Sequence, residues 1–173
     1  SAPVQADIRH EIISSAQITV GAASTSSTRM PSTYSVSGNG VDTAIGDNAM
    51  RNVTSGYHCT AVGSTALMDL TTGYNNTAVG QEAQQNVTTG AGNASCGHNT
   101  LNDCTTGGSN SALGNTALGE VTTGTNNFGI GNDAGRSNAP GGAIITSDNQ
   151  GCLGNNSITY IGAKVSISVT SDK

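Results

Sequence analysis

The sequence has few of the residues that build most enzyme cores and most nucleic-acid surfaces. Among its 173 residues there is no tryptophan, one phenylalanine and four tyrosines, and charged residues make up 10%. This composition is unusual for an enzyme core, and a disordered chain would be richer in charge or proline. Six scattered cations and a net charge of −5 form no basic patch, so we expect no nucleic-acid binding. No apolar run approaches the roughly 18 residues of a membrane span, so we expect no membrane insertion.

Glycine is abundant instead, and half of the 24 glycines recur at a constant interval. The units read "TAIGDNAMRNVTSGYHC", "TAVGSTALMDLTTGYNN" and "TAVGQEAQQNVTTGAGN", followed by three more divergent copies. Two glycine columns repeat every 17 residues without insertion or deletion: Gly46, Gly63, Gly80, Gly97, Gly114, Gly131 and Gly56, Gly73, Gly90, Gly107, Gly124, Gly141. A fixed period of this kind indicates a repeat architecture in which each unit packs on its neighbours.

Apolar residues also recur at fixed positions of the unit. The strongest column directly precedes the first glycine: Ile45, Val62, Val79, Cys96, Leu113, Ile130. A second apolar column follows later in the unit: Val53, Leu70, Val87, Cys104, Val121. Between them lie a small-residue column (Ala49, Ala66, Ala83, Thr100, Ala117, Ala134) and a partly apolar one (Met50, Leu67, Gln84, Leu101, Leu118). Each unit therefore offers two firm apolar positions and one or two weaker ones.

This pattern predicts an all-β, elongated parallel β-solenoid, or β-roll, with one 17-residue unit per coil. The unit is too short for a helix pair and too rich in Gly, Asn and β-branched residues for helices, but it suits two short strands and two turns. Alternation along "TAVG" predicts that Val points inward and that Ala or Thr lies on the other face. Glycine closes this strand where φ needs to be positive, and "TTG" with the following Asn-rich linker supplies the second turn.

The apolar content of one coil is low, and this favours an oligomer. Two or three apolar side chains per coil bury little surface against the backbone entropy that must be offset. Three chains around a common axis would pool their apolar columns into one core. We therefore expect an intertwined homotrimer.

The four cysteines are best interpreted as free thiols. Cys96 and Cys104 occupy apolar columns, so we expect both to be small buried hydrophobes. Cys59 takes a position that is Asn in the next four units, and Cys152 lies in a "CLG" echo of "AVG". We predict no metal site and no cofactor: His58, Cys59, Cys96 and His98 fall two or three coils apart, at ~10–14 Å, beyond a shared coordination shell.

Three segments are expected along the chain. Residues 1–40 form an N-terminal leader or connector, 41–145 the repeat solenoid, and 146–173 the C-terminal cap strands. The alternating segment "ITYIGAKVSISV" predicts a strand with Val165, Ile167 and Val169 on one face. The chain closes on "TSDK".

The unit "NNTAVGxxALxxxTTG" resembles repeats in tail fibres and tail-associated proteins of bacteriophages and in related giant-virus proteins. It is also similar to the shorter "SVAIG" repeats in the heads of trimeric autotransporter adhesins, which form trimeric parallel β-rolls. The resemblance implies a structural, host-receptor-binding segment of a viral tail fibre, located in the virion and assembled in the host cytoplasm. Its implied partners are two further copies of the chain and a host cell-surface glycan or protein.

The terminal "SVTSDK" resembles the junction before the intramolecular chaperone of endosialidases and phage fibres, where the chaperone cleaves itself off after a serine. By this resemblance Ser171 matches the cleaving serine and Asp172 the residue after the cut. The chaperone that would assist trimerisation is absent from this sequence, and Lys173 lies too near to act as the family's catalytic lysine. The resemblance therefore implies a protein that is not an enzyme in this form.

Three readings of function remain open from the residues alone. Tyr57 and Tyr74 share one turn column and are candidate receptor-binding residues, either as a stacking face for sugars or merely stacked on each other. The recurring Thr-Thr pairs leave an ice-binding solenoid as an alternative. A carbohydrate-active enzyme would need carboxylates ~5–9.5 Å apart in a groove. The repeat column of Asp69, Asp103 and Glu120 looks instead like a solvated turn position.

Overall fold

The computed structural model describes residues 42–139 and 141–159, and it places them in an all-β parallel solenoid. Seven three-residue strands form one sheet in chain order, each paired in parallel with the next. They are β1 (Thr43–Ile45), β2 (Thr60–Val62), β3 (Thr77–Val79), β4 (Ala94–Cys96), β5 (Ser111–Leu113), β6 (Phe128–Ile130) and β7 (Gly151–Leu153). Up to β6 every residue pairs with the one 17 positions later, as Thr60 does with Thr77, so the predicted coil is confirmed. The trimeric state is not part of this single-chain structure.

The predicted direction of the strand side chains is wrong. In each strand the central residue points into the coil and its two neighbours point outward, so Ala61 is fully buried whereas Val79 is 37% exposed. The reason is the space inside the coil, which the long side chains across from the strand already fill. The inner position accordingly carries only Ala, Ser, Gly or Cys in the seven strands, and at Gly129 of β6 even an added Cβ would approach Leu118 to 2.8 Å.

Those long side chains come from the partly apolar column, which forms the centre of the core. Met50, Leu67, Leu101 and Leu118 are fully buried. They lie on the segment of each coil that directly follows the strand, which we call the arc. Every second residue of the arc has a left-handed backbone: φ is 51° at Leu67 and 52° at Leu118. The arc's N–H groups alternate between partners, since Leu67 donates to Ala83 of the next coil and Leu70 to Leu67 of its own. A left-handed backbone at leucine costs roughly 1–2 kcal/mol, which burial of the side chain offsets.

The opposite side of the coil differs from the two-strand prediction. Within the described residues it carries only an isolated bridge between Tyr57 and Tyr74. On this side threonine hydroxyls connect the coils. The hydroxyl of the first Thr of each pair donates to a backbone carbonyl of the next coil, as Thr71 does to Thr88 at 3.0 Å. From Gly56 to Gly124 the second glycine column is needed for close approach and not for positive φ, since a Cβ at Gly73 would clash with the carbonyl oxygen of Gly90. Gly141, in the longer sixth coil, differs: its φ is 86° and nothing lies within 4 Å of an added Cβ. The first column has the predicted positive φ, for example 139° at Gly63.

A buried asparagine ladder precedes the strands. Asn93 lies inside the coil, where its Nδ2 donates to Gly107 at 2.9 Å and its Oδ1 accepts from the backbone of Asn110 at 3.0 Å. Asn76, Asn110 and Asn127 repeat the arrangement. In the first coil, Asp42 accepts from the backbone N–H of Cys59. The ladder satisfies backbone groups that a narrow coil would otherwise bury unpaired.

The solenoid continues past residue 145, because β7 pairs with β6 in the same sheet. The coil between them spans 23 residues instead of 17. The additional residues form a loop, which is closed by a hydrogen bond from the backbone N–H of Ile144 to the carbonyl of Gly135. No helix in the described ranges is long and apolar enough to cross a membrane. The expected leader 1–40, the strand containing Val165, Ile167 and Val169, and the junction residues Ser171 and Asp172 lie outside the described residues.

Candidate interaction surfaces

The outer face of the seven-strand sheet carries six of the ten large hydrophobic side chains that are exposed among the described residues. The outer face consists of the two outward residues of each strand, which form two ranks. The first residues of the strands form one rank: Thr43, Thr60, Thr77, Ala94, Ser111, Phe128 and Gly151. The third residues form the other: Ile45, Val62, Val79, Cys96, Leu113, Ile130 and Leu153. Leu113 is 53% exposed and Ile130 48%. None of these residues is charged, so burial of the face would not desolvate a charge, although the hydroxyls of Thr43, Thr60, Thr77 and Ser111 would need hydrogen-bond partners.

This outer face has the extent of an interaction surface. Six strand-to-strand steps of ~4.8 Å make it about 29 Å long. Soluble monomers rarely expose contiguous apolar patches larger than a few hundred Å², and larger ones mark contacts with other molecules. Covering the exposed half of Leu113 or Ile130 would contribute roughly 1 kcal/mol each. The stripe that sequence reasoning assigned to the interior is therefore available to a partner.

Three of the four cysteines are buried and one lies on this outer face. All four are unpaired, as expected. Burial raises the pKa of the Cys104 thiol to about 11, and it also raises the pKa of Cys59. Cys96 is exposed, so its predicted role as a buried hydrophobe is wrong for the same reason as that of the valines. Within the described ranges, no three His, Cys, Asp or Glu side chains are grouped so that they could hold a metal ion.

Tyr57 and Tyr74 stack on each other at one corner of the coil. Their rings are nearly parallel, at 5°, with centroids 5.1 Å apart. His58 packs edge-on against Tyr57, with ring centroids also 5.1 Å apart. Both tyrosines remain exposed, at 37% and 43%. The structure therefore brings the two predicted receptor-binding residues together, with part of each ring still accessible.

The carboxylates on the arc take part in contacts between coils. Asp69 accepts from Asn52 at 2.8 Å, and Glu120 binds Arg136 at 3.2 Å. Asp133 accepts from Thr116, and this hydrogen bond, with the further contribution of Arg136, lowers the pKa of the carboxyl below its usual 3.8. These contacts fix the arc and the longer sixth coil.

The second Thr of each pair gives a further surface rank. Ser55, Thr72, Thr89, Thr106 and Thr123 are exposed, one per coil. The first Thr of each pair is occupied by the backbone of the next coil. Only one hydroxyl of each pair is therefore available to solvent.

A polar site in the core was missed by sequence reasoning. Gln84 replaces the leucine of its column and is fully buried, and its Nε2 donates to Ser95, which replaces alanine in β4, at 3.0 Å. The Oε1 of Gln84 has no partner among the described residues. The two departures from the repeat could have been noticed as a pair, but only the fold shows that the two columns face each other.

Comparison of the chain with protein-family models, curated proteins and solved structures finds no match. The functional argument therefore rests on the surfaces described above.

Proposed function

We propose that this chain is a structural and host-receptor-binding segment of a viral tail fibre, non-catalytic in this form and assembled as a homotrimer. The observation that carries the proposal is the uncharged apolar outer face, which runs along all seven strands of a regular solenoid. A solenoid whose coils already contain a filled core has no internal use for seven more outward apolar residues. A fibre shaft made of several such chains would use them as its shared centre.

A second copy of the chain fits the outer face better than an unrelated partner does. Both copies would present the same ranks at the same ~4.8 Å interval, so every strand would meet an equivalent strand. The lack of charge removes repulsion between identical faces. We favour three copies because the face is narrow, only two residues wide on each strand, and a closed three-fold contact covers it on both sides.

The assembly is tested by sedimentation of the native chain and of variants at low micromolar concentration. We expect the native chain to be trimeric and the double variant Leu113→Asp/Ile130→Asp to be monomeric with unchanged β circular dichroism, because the charges would have to be desolvated in the interface. The matched control is Thr106→Asp/Thr123→Asp, which adds the same charge to an exposed turn. A well-folded native monomer, or a trimeric outer-face variant, would refute the proposed assembly.

Receptor binding completes the proposal. Turns repeated along the fibre and on three chains would let weak contacts with a host surface glycan or protein sum to useful avidity. Tyr57 and Tyr74 are the proposed contact residues, and the C-terminal chaperone implied by Ser171 and Asp172 would act before release. Adsorption of the purified protein to host cells, measured against a heat-unfolded sample, tests this role; adsorption no greater than that of the unfolded sample would refute it.

Ice binding remains the second candidate because the exposed hydroxyl rank of Ser55, Thr72, Thr89, Thr106 and Thr123 repeats at the coil spacing. The rank is a single line, whereas a water lattice extends in two dimensions. A thermal-hysteresis assay at micromolar protein separates the two candidates, since the fibre proposal expects no activity.

A further inference from the structure

The core of the described residues contains no phenylalanine or tyrosine. The aromatic side chains lie on the protein surface instead. Those in ranges 42–139 and 141–159 are Tyr57, Tyr74 and Phe128, each at least 37% exposed. Aromatic side chains contribute most when they are buried, so exposing them in a chain with so few is unfavourable unless something else covers them. Phe128 lies on the outer face, where it crosses Gly151 of β7. The tyrosine pair has no such neighbour.

One face of the Tyr74 ring is open. The two tyrosines occupy the same position in successive coils, and their parallel rings are separated by about one coil spacing. Tyr57 therefore covers the face of Tyr74 that points to the earlier coil. The other face points to the next coil, where the same column carries Ala91 and then Gly108. These small residues leave a step beside the ring.

Polar groups lie beside the small residues of the step. Gly92, next to Ala91, has no side chain of its own, and a Cβ there would make ordinary van der Waals contact with Ser109 at 3.6 Å. Asn75 and Ser109 are exposed on either side of Gly92 along the next column. At the far end, Thr125 donates its hydroxyl to Asp148 at 2.9 Å. The residues that follow in the columns of Tyr74 and Asn75 are all uncharged: Ala91, Gly108 and Thr125, and Gly92, Ser109 and Asn126.

We propose that the open face of Tyr74 binds one neutral pyranose unit of a glycan, an assignment that rests on the receptor-binding role proposed above. The C–H face of a pyranose stacks on an aromatic ring, and its hydroxyls would lie against Asn75 and Ser109. Among the described residues, the columns of Tyr74 and Asn75 carry no cation, and this disfavours sialic acid and other anionic sugars. The two tyrosines thus have different roles. Tyr57 stacks on one face of the Tyr74 ring and holds it in place, and the other face of the Tyr74 ring contacts the sugar.

The test uses methyl glycosides of glucose, galactose and mannose, with sialyllactose as the anionic comparison, followed by saturation-transfer NMR and titration of the native protein. We expect binding of at least one neutral glycoside, with the signals of Tyr74 shifting more than those of Tyr57. Tyr74→Ala should weaken binding about tenfold or more, the usual scale of one aromatic contact. Gln81→Ala, on the arc, should leave it unchanged.

The sharpest variant is Ala91→Tyr, which extends the stack by one ring and covers the open face of Tyr74. The column already holds tyrosine in two successive coils, so we expect a folded protein that no longer binds the sugar. Unchanged binding in Ala91→Tyr or Tyr74→Ala, binding of sialyllactose alone, or binding of none of the four sugars would overturn the proposal. The fibre role is tested separately, by adsorption of the native protein to host cells. If Tyr74→Ala protein still adsorbs to these cells, the fibre role stands and only the sugar site at Tyr74 is refuted.

Discussion

The inside of each coil and the outer face of the sheet are formed by the same three-residue strands, yet they are completed differently. Inside, Ala61 packs beside a long side chain of the arc, and the asparagine ladder pairs the buried backbone within one chain. Outside, Leu113 and Ile130 remain about half exposed. In the single chain this outer apolar rank is not part of the buried core, and the proposed contact between chains would cover it.

The largest effect is expected from a change inside the coil. Leu118→Ala should lower the free energy of unfolding by about 2–5 kcal/mol, because it leaves a cavity beside Gly129 and Gly135. Leu113→Ala, the matched change on the outer face, acts on association, so its effect should depend on protein concentration. Denaturant unfolding at two protein concentrations measures both. A concentration-independent loss of similar size at Leu113 would remove the distinction between the two regions.

The sequence was sufficient for the period, the parallel solenoid and the first glycine column, because these depend on spacing alone. It could not decide which side of "TAV" faces inward, since Ala and Val are both apolar and a reversal exchanges the faces of such a short strand. Nothing in leucine signals the left-handed backbone of Leu67. The asparagine ladder was interpreted as a turn, although Asn76, Asn93, Asn110 and Asn127 are constant while the residue before them varies.

A second prediction concerns that ladder. Asn110→Ala leaves the carbonyl of Gly124 and the N–H of Asn127 without their side-chain partners inside the coil. We expect a loss of about 1–3 kcal/mol in the free energy of unfolding, measured by denaturant titration. Asn115→Ala, which changes an exposed asparagine of the next coil without a left-handed backbone, serves as control. An equal loss in both variants would mean that the ladder contributes no more than a surface asparagine.

A third prediction concerns the Gln84–Ser95 pair in the core. Replacing Gln84 by Leu together with Ser95→Ala restores the repeat and removes an unpartnered Oε1. The double variant should gain about 1 kcal/mol, because it removes the unpartnered Oε1 and both side chains of the Gln84–Ser95 bond, although the carbonyl of Thr77 loses its bond from Gln84 at 2.8 Å. Gln84→Leu alone should gain less, since it leaves the Ser95 hydroxyl without this partner. Thermal unfolding of the three proteins orders them; a destabilised double variant would indicate that Gln84 is needed.

The smallest effect is expected at the sixth coil. The pKa of Asp133 is lowered by its hydrogen bond from Thr116, so its contribution to stability is present above the unfolded value near 3.8 and is lost as pH falls below it. Asp133→Asn should therefore lower the melting temperature slightly at pH 7, and its difference from the native protein should shrink as the pH falls from about 5 to 3. An unaltered acid profile would contradict this role.

The most direct test of the covered outer face is alkylation of Cys96 in the native protein, because this thiol lies in the middle strand of the face. We expect Cys96 to be protected in the assembled protein and to react rapidly in Leu113→Asp/Ile130→Asp, while buried Cys104 stays protected in both. Rapid reaction of Cys96 in the native protein, at the rate seen in that variant, would show that the outer face is free and would contradict the account.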